Sequence, residues 1–150
     1  MSHPISIAAF QPDLAPNLGS LLRLGVCFGI PVHVIEPCGF PFSLKLVRTR
    51  ALDYAEKADV RHHDDWSAFM NSKPGRKVLL TTKGADSMHD FAFRTGDCLI
   101  FGRESAGVPE DVHAAVDARI YIPMPGEGRS LNIAVSAGIA ASEALRQLKT

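Results

Sequence analysis

The chain has 150 residues, 46% hydrophobic and 21% charged, with 16 basic side chains balanced by 16 acidic ones. That length suits a single domain with a real core, and a net charge of zero argues against gripping nucleic acid through bulk charge. No apolar run approaches the roughly 18 residues of a membrane helix, no basic stretch precedes the first apolar run, and three cysteines lack CxxC spacing, so membrane, secretory, disulfide and zinc classes are not indicated and a reduced, cytosolic protein is expected.

Taken in chain order, the first element is a buried strand from Ile5 to Phe10,. Pro12-Asp13-Leu14-Ala15-Pro16 makes a stiff loop, after which Asn17 fits the N-cap of a helix from Leu18 to Phe28,. Arg23 lies in that helix among Leu21, Leu22, Leu24 and Val26; its bland reading is a stem covering apolar surface. A strand from Val32 to Glu36 follows. Between Phe40 and Asp53 the only charges are Lys45, Arg48 and Arg50, on a basic helical segment expected from about Ser43 to Tyr54. His62 and His63 are adjacent, so they point apart on a helix or strand and suggest surface residues rather than a metal site.

A short helix is expected from Trp66 to Ser72, then strands from Val78 to Thr82 and Cys98 to Phe101. Between Asp65 and Asp86 every charge is positive: Lys73, Arg76, Lys77 and Lys83. Each basic run is a local patch on a neutral body, and a solvated face is the plain alternative. After Phe101 comes Gly102-Arg103-Glu104-Ser105-Ala106-Gly107-Val108-Pro109, at a strand end where open α/β sheets bind ligands. Gly102 lets a ligand approach the backbone, Gly107 suits positive φ, and Pro109 suits the first turn of a helix ending near Ala115. A strand from Arg119 to Ile122 leads into Pro123-Met124-Pro125-Gly126-Glu127-Gly128-Arg129-Ser130, which resists regular structure. Ser130 is a plausible N-cap for a last helix from about Leu131 to Leu148. Gly138 within it costs about 1 kcal/mol against alanine, so a helix or ligand is expected to approach there.

Strands alternating with helices predict an α/β fold with a mostly parallel sheet and helices on both faces. GxGxxG, GxxxxGK[ST] and GxSxG are all absent, which removes the main support for dinucleotide-binding, P-loop and α/β-hydrolase readings.

The three irregular loops, in this order, resemble the motifs of the SpoU branch of the SPOUT methyltransferases. Asn17-x-Gly19-x-x-x-Arg23 resembles the first, Phe101-Gly102-x-Glu104-x-x-Gly107-x-Pro109 the second, and Ile122-Pro123-Met124 with Ser130-Leu131-Asn132 the third. Glu36-Pro37-x-Gly39-Phe40, Leu52-Asp53-Tyr54, Thr81-Thr82-Lys83-Gly84 and Glu143-Ala144-Leu145-Arg146-Gln147 extend the likeness to the TrmL-like group, which methylates the wobble ribose of tRNA. The resemblance implies a C-terminal deep trefoil knot, one domain spanning residues 1–150, and a homodimer with the cofactor near its interface. It implies transfer of a methyl group from S-adenosylmethionine to the 2'-hydroxyl of C34 or U34, with tRNA as partner, S-adenosylhomocysteine as product and no metal, membrane or DNA. Leu80, Gly102, Ile122, Ser130 and Leu131 are implied to hold the cofactor.

By the same resemblance Arg23 and Asn17 act at the ribose hydroxyl, Glu104 holds the arrangement by pairing Arg23 or Arg129, and Asn132 orients loop and substrate. A guanidinium is effectively always protonated, so Arg23 is read as stabilising the alkoxide rather than as a base. The sequence departs from the pattern at Ala134, where many relatives have serine, at Arg103, and at Ala51, where a glycine is usual. Rival readings are the same reaction on another tRNA position or on ribosomal RNA, a catalytically idle RNA-binding relative, and a small-molecule module with an unrelated α/β fold.

Overall fold

The computed structural model describes residues 3–43, 57–128 and 130–149. β1 (Ile5–Phe10) is buried at every position, as befits a strand covered on both faces. With β2 (Val32–Ile35), β3 (Val60–His63), β4 (Lys77–Leu80), β5 (Asp86–Ser87), β6 (Asp97–Phe101) and β7 (Ala118–Tyr121) it forms one seven-stranded sheet. The strand order is β3-β2-β1-β6-β4-β7-β5, and every neighbouring pair is parallel. Each expected strand is present with its ends shifted by at most two residues. β3 and β5 were not expected: they are the sheet edges, and their polar residues carry no buried pattern.

Four α-helices, α1 (Ala15–Phe28), α2 (Trp66–Asn71), α3 (Glu110–Ala115) and α4 (Ile133–Gln147), and a 3-10 turn at Met88–Asp90 complete the described fold. Side chains of Ile5, Ile7 and Ala9 share a core with Leu18, Leu21 and Leu22 of α1 and with Ala137, Ala140, Ala141 and Ala144 of α4. Ala8 and Phe10 point the other way, into a second core with Phe69 of α2 and Val112 of α3. The period of two along β1 thus places helices on both faces of the sheet.

Two helix starts correct the sequence reading. α1 begins at Ala15, not Leu18, with Leu14 at the N-cap. Pro16 is tolerated in the first turn because no intrahelical N–H bond is required there. Asn17 therefore lies within the first turn and does not cap the helix. At the other end Gly29, with φ 67°, adopts the left-handed turn that terminates α1. α4 is capped by Asn132 rather than Ser130: the Asn132 carboxamide oxygen accepts from the amides of Ala134 at 2.8 Å and Val135 at 3.4 Å. Starting at Ile133 aligns Ile133, Ala137, Ala140, Ala141 and Ala144 as one buried stripe,. Of the expected basic helix from Ser43 to Tyr54, residues 44–54, including Lys45, Arg48 and Arg50, lie outside the described residues.

Candidate active site

β6, β4 and β7 lie side by side and parallel, so their carboxyl ends at Phe101, Leu80 and Tyr121 form one rim. A cleft of about 720 Å³ opens there, where a parallel sheet is expected to receive a ligand. Leu80, Gly102, Ile122, Ser130 and Leu131 all line it, as do Glu104 and Asn132. Leu80 and Ile122 are half-buried and form the apolar floor, while Ser130 and Leu131 are exposed at the mouth. Among the described lining residues Glu104 is the only carboxylate, and Lys83, Arg103 and His113 also line the cleft. The imidazole Nε2 of His113 lies 3.0 Å from the Lys83 carbonyl oxygen, tying α3 to the loop after β4.

The turn after β6 is closed by its own backbone. The Arg103 amide donates to the Gly107 carbonyl at 3.0 Å, and the Gly107 amide donates to the Arg103 carbonyl at 2.7 Å. Gly107 has the expected positive φ, 64°. Gly102 lines the cleft and is also constrained from within its own loop. A Cβ there would lie 2.8 Å from the Gly107 carbonyl carbon and 3.0 Å from its Cα, so it is the loop folding back on itself that demands glycine. Arg103 adds a side-chain bond from Nε to the Gly107 carbonyl at 2.9 Å and places its guanidinium 5.8 Å from the Phe10 ring centroid.

Three residues named separately in the sequence meet at this rim. The Asn17 side-chain amide donates to the Glu104 carboxylate, and the Asn132 side-chain amide donates to the Asn17 carboxamide oxygen at 3.4 Å. Asn132 thereby caps α4 with its oxygen and reaches α1 with its nitrogen. Because Asn17 is freed from capping, its amide can bridge the second and third loops. Arg129, one expected partner of Glu104, lies outside the described residues. Arg23 is exposed on α1 and is not among the residues that line the cleft.

Asp13, in the loop before α1, also reaches the second loop. One of its carboxylate oxygens accepts from the Ser105 amide at 3.0 Å and from the Ser105 hydroxyl at 2.9 Å. Nothing local in the sequence marks that pairing, which spans 92 residues. His62 and His63 do point apart on β3, but only His62 is a surface residue. His62 Nε2 lies 2.5 Å from Glu36, and its other ring nitrogen lies 4.0 Å from Asp64. His63 turns inward to the buried His33.

The family model described as the SpoU rRNA Methylase family matches residues 4–142. The chain belongs to that family. Within it, the chain is 46% identical over 145 residues to a tRNA (cytidine(34)-2'-O)-methyltransferase of Beijerinckia indica, covering 95% of this chain and 91% of that protein. A solved structure concerned with the 2-OH methylation of C/U34 on tRNA superposes with a TM-score of 0.88 at 41% identity, covering 96% of this chain and 95% of that one. The SpoU methyltransferase AviRb of Streptomyces viridochromogenes, solved in complex with AdoMet, superposes with a TM-score of 0.81 at 24% identity over 95% of this chain and 60% of that one, a likeness of fold.

Proposed function

We propose that this chain transfers a methyl group from S-adenosylmethionine to the ribose 2'-hydroxyl of nucleotide 34 of tRNA. The observation that carries the reading is the meeting of Asn17, Glu104 and Asn132 at the rim of a large cleft, in a chain 46% identical to a tRNA (cytidine(34)-2'-O)-methyltransferase. The cleft fits the cofactor in size and chemistry. Its floor of Leu80 and Ile122 suits an adenine face, and 122–128 and 130–132 form neither helix nor strand, which leaves backbone groups there for a nucleoside. When bound, S-adenosylmethionine supplies an electrophilic methyl group; the protein supplies position and charge.

On this reading Leu80, Gly102, Ile122, Ser130 and Leu131 hold the cofactor, and Asn17, Glu104 and Asn132 fix the geometry of the rim. Arg23 neutralises charge developing on the ribose oxygen, which needs donors already aimed at that atom. A protonated guanidinium does this without removing the proton, which passes to solvent or to a substrate phosphate. Arg23 lies outside the cleft lining of its own chain, so its role is best served in a homodimer. An exposed apolar strip on and beside α4, formed by Leu131, Val135 and Ile139, supports such a contact. We also infer the deep trefoil knot, a single domain over residues 1–150 and a cytosolic location. Among the described residues no helix is long and apolar enough to cross a membrane.

The test is transfer of labelled methyl from S-adenosylmethionine to unmodified tRNA by wild type, Arg23→Ala and Arg23→Lys. Label on the ribose of the wobble nucleotide is expected for wild type. Both variants should lose at least about a hundredfold, because a lysine cannot reproduce the guanidinium fork. Recovery of most activity in Arg23→Lys would remove the alkoxide-stabilising role. Label appearing only on another tRNA position or on ribosomal RNA would overturn the proposed substrate.

A further inference from the structure

We propose that Asp13 is a positioning residue: its carboxylate holds Ser105, and through it the Arg103–Gly107 turn, in the shape that forms one wall of the cleft. The inference rests on the reading that this cleft receives S-adenosylmethionine. Asp13 stands in the segment between β1 and α1, and Ser105 stands at the tip of the turn after β6.

The carboxylate is anchored from behind. Pro12 is buried, and its carbonyl accepts from the Gly39 amide at 2.9 Å. A Cβ on Gly39 would lie 2.6 Å from the Asp13 carbonyl oxygen and 3.0 Å from its Cα. The Asp13 backbone thus lies close against Gly39, which only a residue without a side chain permits. From this fixed base one oxygen accepts both the amide and the hydroxyl of Ser105. Among the described residues Asp13 makes no ion pair with a basic side chain, so its hydrogen bonds go to this loop.

The turn needs such an anchor. Glu104, Ser105, Ala106 and Gly107 are all exposed, and the pair of backbone bonds between Arg103 and Gly107 closes the turn without fixing its tilt over the cleft. Glu104 is held by Asn17, and the next residue, Ser105, is held by Asp13. Two neighbouring residues of the wall are therefore gripped by two side chains four positions apart, at the entry to α1. Ordering the loop before the ligand arrives removes an entropic cost that binding would otherwise carry. The expected consequence is tighter cofactor binding with little effect on the chemical step.

Binding of S-adenosylhomocysteine by calorimetry, together with hydrogen exchange of the ligand-free loop amides, tests this on wild type, Asp13→Ala, Asp13→Asn, Ser105→Ala and the double variant Asp13→Ala/Ser105→Ala. Asp13→Ala should bind about tenfold more weakly, as loss of two bonds to a carboxylate implies, and should exchange faster at Glu104 to Gly107. Asp13→Asn retains an acceptor oxygen and should stay within about threefold of wild type. Ser105→Ala, which removes only the hydroxyl bond, should fall between the two. The double variant should bind no worse than Asp13→Ala alone. In turnover, KM for S-adenosylmethionine should rise while kcat changes little.

Unchanged binding and exchange in Asp13→Ala would overturn the proposal, as would an Asp13→Asn variant as weak as Asp13→Ala. Should Asp13→Ala fail to fold, Ser105→Ala at the exposed loop tip still decides through the same two readouts. A wild-type protein that does not bind S-adenosylhomocysteine refutes the proposed function instead, and the ligand-free exchange rates still decide whether Asp13 orders the loop.

Discussion

His33 has 4% of its surface exposed, and its Nδ1 lies 2.8 Å from His63 Nε2. The two rings stack with centroids 5.1 Å apart, and Phe69 meets both edge-on. Burial, reinforced by His63 and Arg61, pushes the His33 pKa down from 6.5 to about 4; His63 is lowered as well, by burial, His62 and Arg61. The fold favours neutral imidazole at both positions, whereas the unfolded chain takes up protons as soon as the pH falls below about 6.5. Stability is therefore complete above that pH and declines as the pH falls toward 4. Urea midpoints between pH 7.5 and 4.5 should trace this decline, and His33→Gln should flatten it even if the variant is less stable at neutral pH. An acid limb with the same slope in His33→Gln would assign the decline to other groups.

At the N-terminus of α4, stability and function can be separated. Asn132 caps the helix through its oxygen and reaches Asn17 through its nitrogen. Asn132→Ala should cost about 1 kcal/mol through the lost cap and should lose methyl transfer too. Asn132→Asp keeps a capping oxygen and adds a charge that the helix dipole favours, yet no longer donates to Asn17. It should melt at or above the wild-type temperature while methyl transfer falls; full activity would show that the bridge to Asn17 is dispensable. Elements were legible in the sequence where burial is continuous. β1 and β6 are buried at every position, and only buried branched runs announce themselves so plainly. β3, reading Val60-Arg61-His62-His63, is an edge strand paired to β2. β5 is two residues paired to β7; neither has a side-chain pattern to read. Asn17, Glu104 and Asn132 were each identifiable from their own loops by family resemblance. Their junction was not, because it joins residues 87 and 115 positions apart, and Asp13 with Ser105 eluded local reading for the same reason.

For the molecule as a whole, Gly138 discriminates between a lone chain and an assembled one. A Cβ there would meet only Leu24 Cδ1, at 3.9 Å, so the close neighbour expected from the sequence is not found among the described residues. Within a single chain, Gly138→Ala should stabilise α4 by about 1 kcal/mol. If α4 packs against a second copy, the same methyl group would obstruct the contact. Light scattering across a dilution series should then show Gly138→Ala dissociating at higher concentration than wild type. A variant that is both more stable and equally dimeric would place the interface elsewhere.

The strand order has a consequence for biosynthesis. β1 lies between β2 and β6, and its pairing sets Ile5 beside Asp97, 92 positions later. At roughly 5–20 residues per second, the nascent chain holds the β6-facing edge of β1 open for about 5 to 20 seconds before its neighbour is made. That edge belongs to the most apolar strand of the sheet, and an unpaired apolar edge is a template for intermolecular pairing. The same arrangement that places the cleft at the carboxyl ends of β4, β6 and β7 thus leaves the emerging chain with an unpaired apolar edge until β6 is made,.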